Sequence, residues 1–233
     1  MKNIVAIVLA AGSGSRMKSD IPKQYMLLKE KPVIFYSLKA FEESPVSSIV
    51  LVTGEADVEF CKKEIVDRYH FKKIKKVVAG GKERYESVQK GLEAAGECDY
   101  VMNHEGARPL LSQDLIASCI ACVTEHEACV AAVPVKDTIK VVDSLQYAVS
   151  TPDRSTLWAM QTPQCFTASL LRESYEKILV MQKNGMEIPS ITDDAMVVEF
   201  ASGRPVKLLQ GDYRNIKITT PEDMLVAKVF LEE

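Results

Sequence analysis

Five runs rich in β-forming residues punctuate the first 134 positions: residues 4 to 9, "SSIVLVT" (47 to 53), "IKKVVA" (74 to 79), "DYVMNH" (99 to 104) and "ACVAAV" (128 to 133). Such continuous runs suit strands buried on both faces. Amphipathic stretches lie between them: "VIFYSLKAFEES", "DVEFCKKEIVDRY", "ERYESVQKGLEAAG" and "SQDLIASCIACVTEH". Strand and helix alternating at this spacing predict an α/β fold, a mostly parallel sheet with helices on both faces. Ligands of such sheets bind beyond the carboxyl ends of the strands. The segments "AAGSGSR", "AGGKER" and "HEGARP" all fall there.

After Pro134 the rhythm breaks. "PVKDTIKVVDSLQYAVSTPDRSTLWAMQTPQCF" mixes short β-like runs with Pro, Asp and Ser and carries no helical period. A β-arm projecting from the sheet over about residues 134–160 is the expectation, within a single domain spanning 1–233. "TASLLRESYEKILVMQKNG" and "PEDMLVAKVFL" read as helices, and "TDDAMVVEFASG" as a third with Thr192 as its N-cap.

Composition removes several classes of function. A net charge of −3 argues against a nucleic-acid surface, which needs a basic face. The apolar opening "IVAIVLAA" is far shorter than the roughly 20 residues of a membrane span and lacks a signal peptide's longer apolar region and cleavage site. Six cysteines without a paired framework fit a reduced, cytoplasmic setting. Cys119 and Cys122 form a C-x-x-C, but inside an apolar helical run, where packing is the expected role.

The opening loop places Gly12 and Gly14 where a strand ends, so backbone amides can close on an anion with no Cβ in the way. Arg16 and Lys23 add positive charge nearby. The loop lacks the P-loop pattern and replaces the third glycine of a dinucleotide fingerprint with Met17. Alone it reads equally as a tight turn with solvated cations. Two further strand-end loops, "GGKERYESV" and "NHEGARP", carry glycine, a basic residue and a polar side chain, and three such loops can enclose an anionic ligand.

Taken in order, "LAAGSGSRM…PKQY", "GGKERYESV", "GARP", "PVKDT", "QTPQCF", "TDDA" and "NIKIT-PED" resemble the 2-C-methyl-D-erythritol 4-phosphate cytidylyltransferase family from residue 4 to about residue 230. The resemblance implies a Rossmann-like nucleotidyltransferase fold and a homodimer embraced by the β-arms. It also implies Mg²⁺-dependent cytidylyl transfer from CTP to 2-C-methyl-D-erythritol 4-phosphate, with release of pyrophosphate. That reaction needs no covalent nucleophile, only two anions brought into line and charge stabilised on the α-phosphate.

By resemblance, Arg16 and Lys23 hold the triphosphate and the leaving pyrophosphate, and Lys217 reaches the α-phosphate from a β-like run. Ala10, Ala11, Gly12, Ser13 and Gly14 supply the phosphate-cradling backbone. Gly81, Lys82 and Ser87 match the family's cytosine and ribose contacts, with Lys82 acting through its backbone. Arg108, Thr138, Arg154 and Thr192 form the sugar-phosphate side, Thr138 and Arg154 reaching across the dimer. Glu105 stands where the family commonly has Asp and is expected near Mg²⁺ or the ribose, displaced or bridged by water because its stem is one methylene longer.

Two neighbours are read as structural. His104 is expected to be buried and hydrogen-bonded, since an ionised phosphate nucleophile needs no base. Asp193 and Asp194 are expected to cap a helix. Two alternatives stand beside the main reading: ribitol 5-phosphate as acceptor, and a nucleotide-binding protein without turnover. A dehydrogenase is disfavoured by the missing glycine and ribose-binding acid.

Overall fold

The protein is described by a computed structural model covering residues 2–12, 17 and 21–232. Ser13, Gly14 and Arg16 lie outside the described residues.

Seven strands form one sheet: β1 (Ile4–Ala10), β4 (Ser48–Thr53), β5 (Ile74–Ala79), β6 (Tyr100–Glu105), β7 (Ala128–Pro134), β10 (Trp158–Thr167) and β11 (Lys207–Gln210). Their spatial order is β11-β7-β10-β6-β1-β4-β5. β10 pairs antiparallel with both β6 and β7, and the other pairs are parallel. The carboxyl ends of β1, β5 and β6 therefore share one edge.

Strand periodicity sorts the core into two layers. Along β1, Ile4, Ala6, Val8 and Ala10 pack on one face, against α1 (Val33–Glu42), α2 (Val58–Phe60, continued by a π-helical stretch Cys61–Asp67) and α4 (Gln113–His126). Val5 and Ile7 pack on the other, against α3 (Arg84–Ala95), α5 (Ala168–Lys183) and α6 (Asp194–Ser202). A third cluster beneath the site joins Met17, Leu28, Val33 and Ile218 to Ala227 of α7 (Pro221–Phe230), beside the short hairpin of β2 (Leu27–Leu28) and β3 (Lys31–Pro32). Cys119 is buried in α4 against the sheet, as expected of a packing residue.

Three local expectations change. The chain leaves the sheet after Pro134, forms an exposed hairpin of β8 (Val141–Val142) and β9 (Ala148–Ser150), and rejoins the sheet as β10, a central strand that the pattern conceals. The reason is chemical: Gln161, Thr162 and Gln164 are buried in β10, where a strand pattern calls for apolar side chains. The α6 cap is Asp193, whose carboxylate accepts from the Met196 amide at 2.9 Å, and not Thr192, whose hydroxyl donates to the Met196 sulfur. Lys217 lies in an extended connection and not in a strand.

Candidate active site

One cleft opens where the strand-end loops meet. It is lined by Ala10, Ala11, Gly12, Lys23, Gly81, Lys82, Ser87, Glu105 and Lys217, all expected from the sequence, together with Gln24, Arg84 and Ala107. Segments from both ends of the chain thus converge on one hollow.

Each wall is held by specific contacts. Lys23 begins a short 3₁₀ turn whose next residue, Gln24, is buried and donates to the carbonyls of Ala10 (2.7 Å) and Gly12 (3.2 Å). Gln24 therefore ties Ala10 and Gly12, at the end of β1, to the turn that bears Lys23. At Gly80 an added Cβ would stand 2.6 Å from the Ala11 Cβ, and at Gly81 one would stand 2.2 Å from the Glu86 Cβ. Only glycine allows these approaches. The Gly81 amide donates to the Ser87 hydroxyl, and the Lys82 amide to the Glu86 carboxylate at 2.7 Å. Ser87 is thus a buried brace of the loop. Among the described residues, a Cβ at Gly12 would meet no atom within 4 Å.

The floor is ionic. Glu105 ends β6 and accepts from Arg108 Nε at 2.9 Å and from the Lys217 ammonium. Burial works against its ionisation, but Arg108 and Lys217 outweigh it and bring the carboxyl down to about 2. Arg108 is itself buried and also donates to the Asn215 carbonyl at 2.8 Å. Ile218 donates to the Ala107 carbonyl at 2.8 Å, so the connection bearing Lys217 is pinned on both sides of that residue.

Behind Glu105, a chain of hydrogen bonds fixes the strand end. The Glu105 amide donates to Thr162 Oγ1 (3.1 Å), Thr162 pairs with His104 Nδ1 (3.0 Å), and His104 Nε2 meets the Arg108 carbonyl (3.2 Å). Because a carbonyl only accepts, Nε2 carries the proton and Nδ1 accepts from the hydroxyl. Burial lowers the histidine to about 4, so it is neutral at pH 7, consistent with the structural role expected of it.

The remaining expected residues lie elsewhere. Thr138, Arg154 and Thr192 are exposed and do not line the cleft. Arg154 stands at the base of the hairpin, donating to the Lys136 carbonyl at 2.9 Å. Sequence reasoning assigned no role to Gln24, Arg84, Thr162 or Asn215. Gln24, Arg84 and Asn215 sit beside assigned residues in "PKQY", "GGKER" and "NIK", whereas Thr162 in "QTPQ" has no assigned neighbour.

Backbone loops and lysines gathered at the carboxyl edge of a mostly parallel sheet suit the phosphates of a nucleotide, and the class to which the fold and its relatives assign the chain is that of the nucleotidyltransferases. More narrowly, the chain belongs to the IspD family, 2-C-methyl-D-erythritol 4-phosphate cytidylyltransferase, whose model matches residues 4–233. It is 52% identical to a protein of that name from Lachnospira eligens, over 97% of this chain and 98% of the other. The corresponding protein from Lachnoclostridium phytofermentans is 48% identical over 100% and 98%. The crystal structure of 4-diphosphocytidyl-2C-methyl-D-erythritol synthase from Anaerococcus prevotii superposes with a TM-score of 0.85 at 33% identity, covering 100% of this chain and 97% of that one. No helix among the described residues is long and apolar enough to cross a membrane.

Proposed function

We propose that the cleft transfers CMP from CTP to 2-C-methyl-D-erythritol 4-phosphate. An oxygen of the sugar phosphate attacks the α-phosphorus, the bond from that phosphorus to the bridging oxygen of the β-phosphate breaks, and pyrophosphate departs with its electron pair. The product is 4-diphosphocytidyl-2-C-methyl-D-erythritol. The observation that carries this reading is the convergence of Lys23 and Lys217 on one cleft with the Ala10–Gly12 and Gly81–Lys82 backbones.

In this reading Lys23, with Arg16, neutralises the β- and γ-phosphates and the leaving group, and Lys217 stabilises charge growing on the α-phosphate. The backbone of Ala10 through Gly14 cradles phosphate, and Gly81, Lys82 and Ser87 set the wall for cytosine and ribose. Arg108 works from behind, since its guanidinium is taken up by Glu105 and Asn215.

A divalent ion fits as a phosphate-borne one. Among the described residues no three His, Cys, Asp or Glu side chains are grouped to hold a metal, and both Glu105 oxygens already accept from cations. Mg²⁺ commonly takes few protein carboxylates and several phosphate and water oxygens. Glu105 would then meet it through water, and the ion would supply neutralisation of the triphosphate.

The chain is read as a homodimer. Exposed apolar side chains on the hairpin, including Leu145 at 74% and Tyr147 at 70%, support its burial against a second copy. Thr138 and Arg154, placed on the arm away from their own cleft, would complete the acceptor site of the partner subunit, with Thr192 of the subunit that supplies the lysines. A cytoplasmic setting is supported by six free thiols.

Pyrophosphate release from CTP, with 2-C-methyl-D-erythritol 4-phosphate and ribitol 5-phosphate offered separately, tests the reading. Release with the first acceptor is expected. Release only with the second moves the assignment, and release with neither removes turnover altogether.

A further inference from the structure

Among the described residues, one fully buried charge has no part in the proposed reaction. Asp194 is fully buried, yet it stays ionised: burial opposes this, and Arg84 with the surrounding hydrogen bonds outweighs it. Arg84 grips it with two parallel bonds, Nη1 to Oδ1 at 2.7 Å and Nη2 to Oδ2 at 2.9 Å. Tyr175 and Asn103 each donate a further bond, at 2.7 and 2.9 Å. Both oxygens are therefore saturated.

The two ends of this pair belong to different walls. Arg84 is the first residue of α3, directly after the Gly80–Glu83 turn, and its side chain remains 26% exposed where it lines the cleft. Asp194 is the first residue of α6, two positions after Thr192. Gln164 of β10 ties down the same helix start, accepting from the Asp194 amide at 2.9 Å and donating to the Asp193 carboxylate at 2.9 Å.

A buried ion pair is a poor device for stability alone, because apolar residues of like volume commonly serve as well. Its two-point geometry is what apolar packing lacks. We propose that the Arg84–Asp194 pair is a positioning strut that couples the nucleotide wall at Gly80–Glu83 to the acceptor wall at Thr192, so that each substrate finds its loop set by the other wall. The inference rests on the assignment of those two walls given above.

Arg84→Lys keeps the opposite charge beside Asp194 but removes the fork, and so preserves the fold while loosening the strut. Amide hydrogen exchange on the full-length protein without substrate reads the coupling: exchange is expected to rise about threefold or more in both the 80–84 and 190–194 segments. A rise confined to residues near position 84 overturns the coupling. In steady-state kinetics the variant is expected to raise KM about tenfold for CTP and for the acceptor, with kcat changed less than about threefold. Unchanged KM values in a variant that keeps the parent's thermal midpoint overturn the positioning role. Tyr175→Phe, which removes one bond to Asp194 from the side away from the cleft, gives the same signature at smaller amplitude, and serves if the lysine variant does not fold. Because the exchange measurement needs no nucleotide, an inactive parent protein would sink the proposed reaction while leaving the strut testable.

Discussion

The cleft and the hairpin arm are both assigned to substrate, yet they are built in opposite ways. The described walls of the cleft are braced from within: Gln24 holds Ala10 and Gly12, Ser87 the glycine turn, and Arg108 and Lys217 the Glu105 carboxylate. Arg154 and Thr138 have no such shell; they sit on an exposed excursion whose two strands are 2 and 3 residues long. A short isolated hairpin is marginal in water. The described part of the nucleotide side is thus braced without any ligand, whereas the proposed acceptor residues of the arm sit on a hairpin with little bracing of its own.

The largest effect should come from the braced side. Lys23→Ala is expected to lower kcat about 10³-fold, the scale of losing a preorganised charge at the transition state. Calorimetry should find the thermal midpoint almost unmoved, since Lys23 is at the surface of the cleft. Near-normal turnover would remove Lys23 from the chemistry.

Arg154→Ala should act differently, raising KM for the acceptor well above any change for CTP. The contrast is sharpest in a mixture. If the arm completes the partner's site, Lys23→Ala and Arg154→Ala chains, co-refolded and assayed at an acceptor concentration too low for either homodimer to turn over, form mixed dimers with one intact site, recovering about a quarter of parental activity in a symmetric dimer. No recovery on mixing would place Arg154 in its own subunit's chemistry or outside it.

The glycines offer a third comparison, within the cleft itself. Gly81→Ala drives a Cβ to 2.2 Å from Glu86 and must move the turn, so KM for CTP should rise about tenfold or more. Gly12→Ala meets no atom of the described residues within 4 Å, so its thermal midpoint should stay put. Any loss of CTP affinity there would report contact with the phosphate itself.

This division also explains what the sequence made legible. Five of the parallel strands were legible as β-rich runs, whereas β11, a short and mostly exposed edge strand paired with β7, left no such run; the lysines were legible through the family resemblance, since a cation beside a glycine loop reads equally as a solvated charge. β10 stayed hidden because its buried positions are filled by Gln161, Thr162 and Gln164, whose bonds run to Asp212, His104, Glu105 and Asp193. Polar side chains that serve as internal braces read as loop in a one-dimensional pattern. Asp194 was misplaced for the same reason: an acid near a helix start suggests a cap, and only the fold reveals that Asp193 caps while Asp194 turns inward to Arg84.

The last effect leaves turnover at pH 7 aside: it concerns the floor of the cleft and appears only as pH falls. His104 is fully buried and lowered to about 4, against about 6.5 in an unfolded chain. Between those values the unfolded chain binds a proton that the native one refuses, so stability is complete above pH 6.5 and drains away as pH drops toward 4. The gap corresponds to about 3 kcal/mol. Geometry supplies the reason: Nδ1 accepts the Thr162 hydroxyl, and protonating it would set two donors face to face while the same hydroxyl still accepts from the Glu105 amide. Glu105, lowered to about 2, loses its own contribution in a separate window, from about pH 4.5 downward. Chemical denaturation across pH 7 to 4 should therefore show a slope that His104→Gln flattens, the variant being less stable at pH 7 but less sensitive to acid. A slope unchanged by that substitution would assign the acid sensitivity to other groups and leave His104 as packing alone.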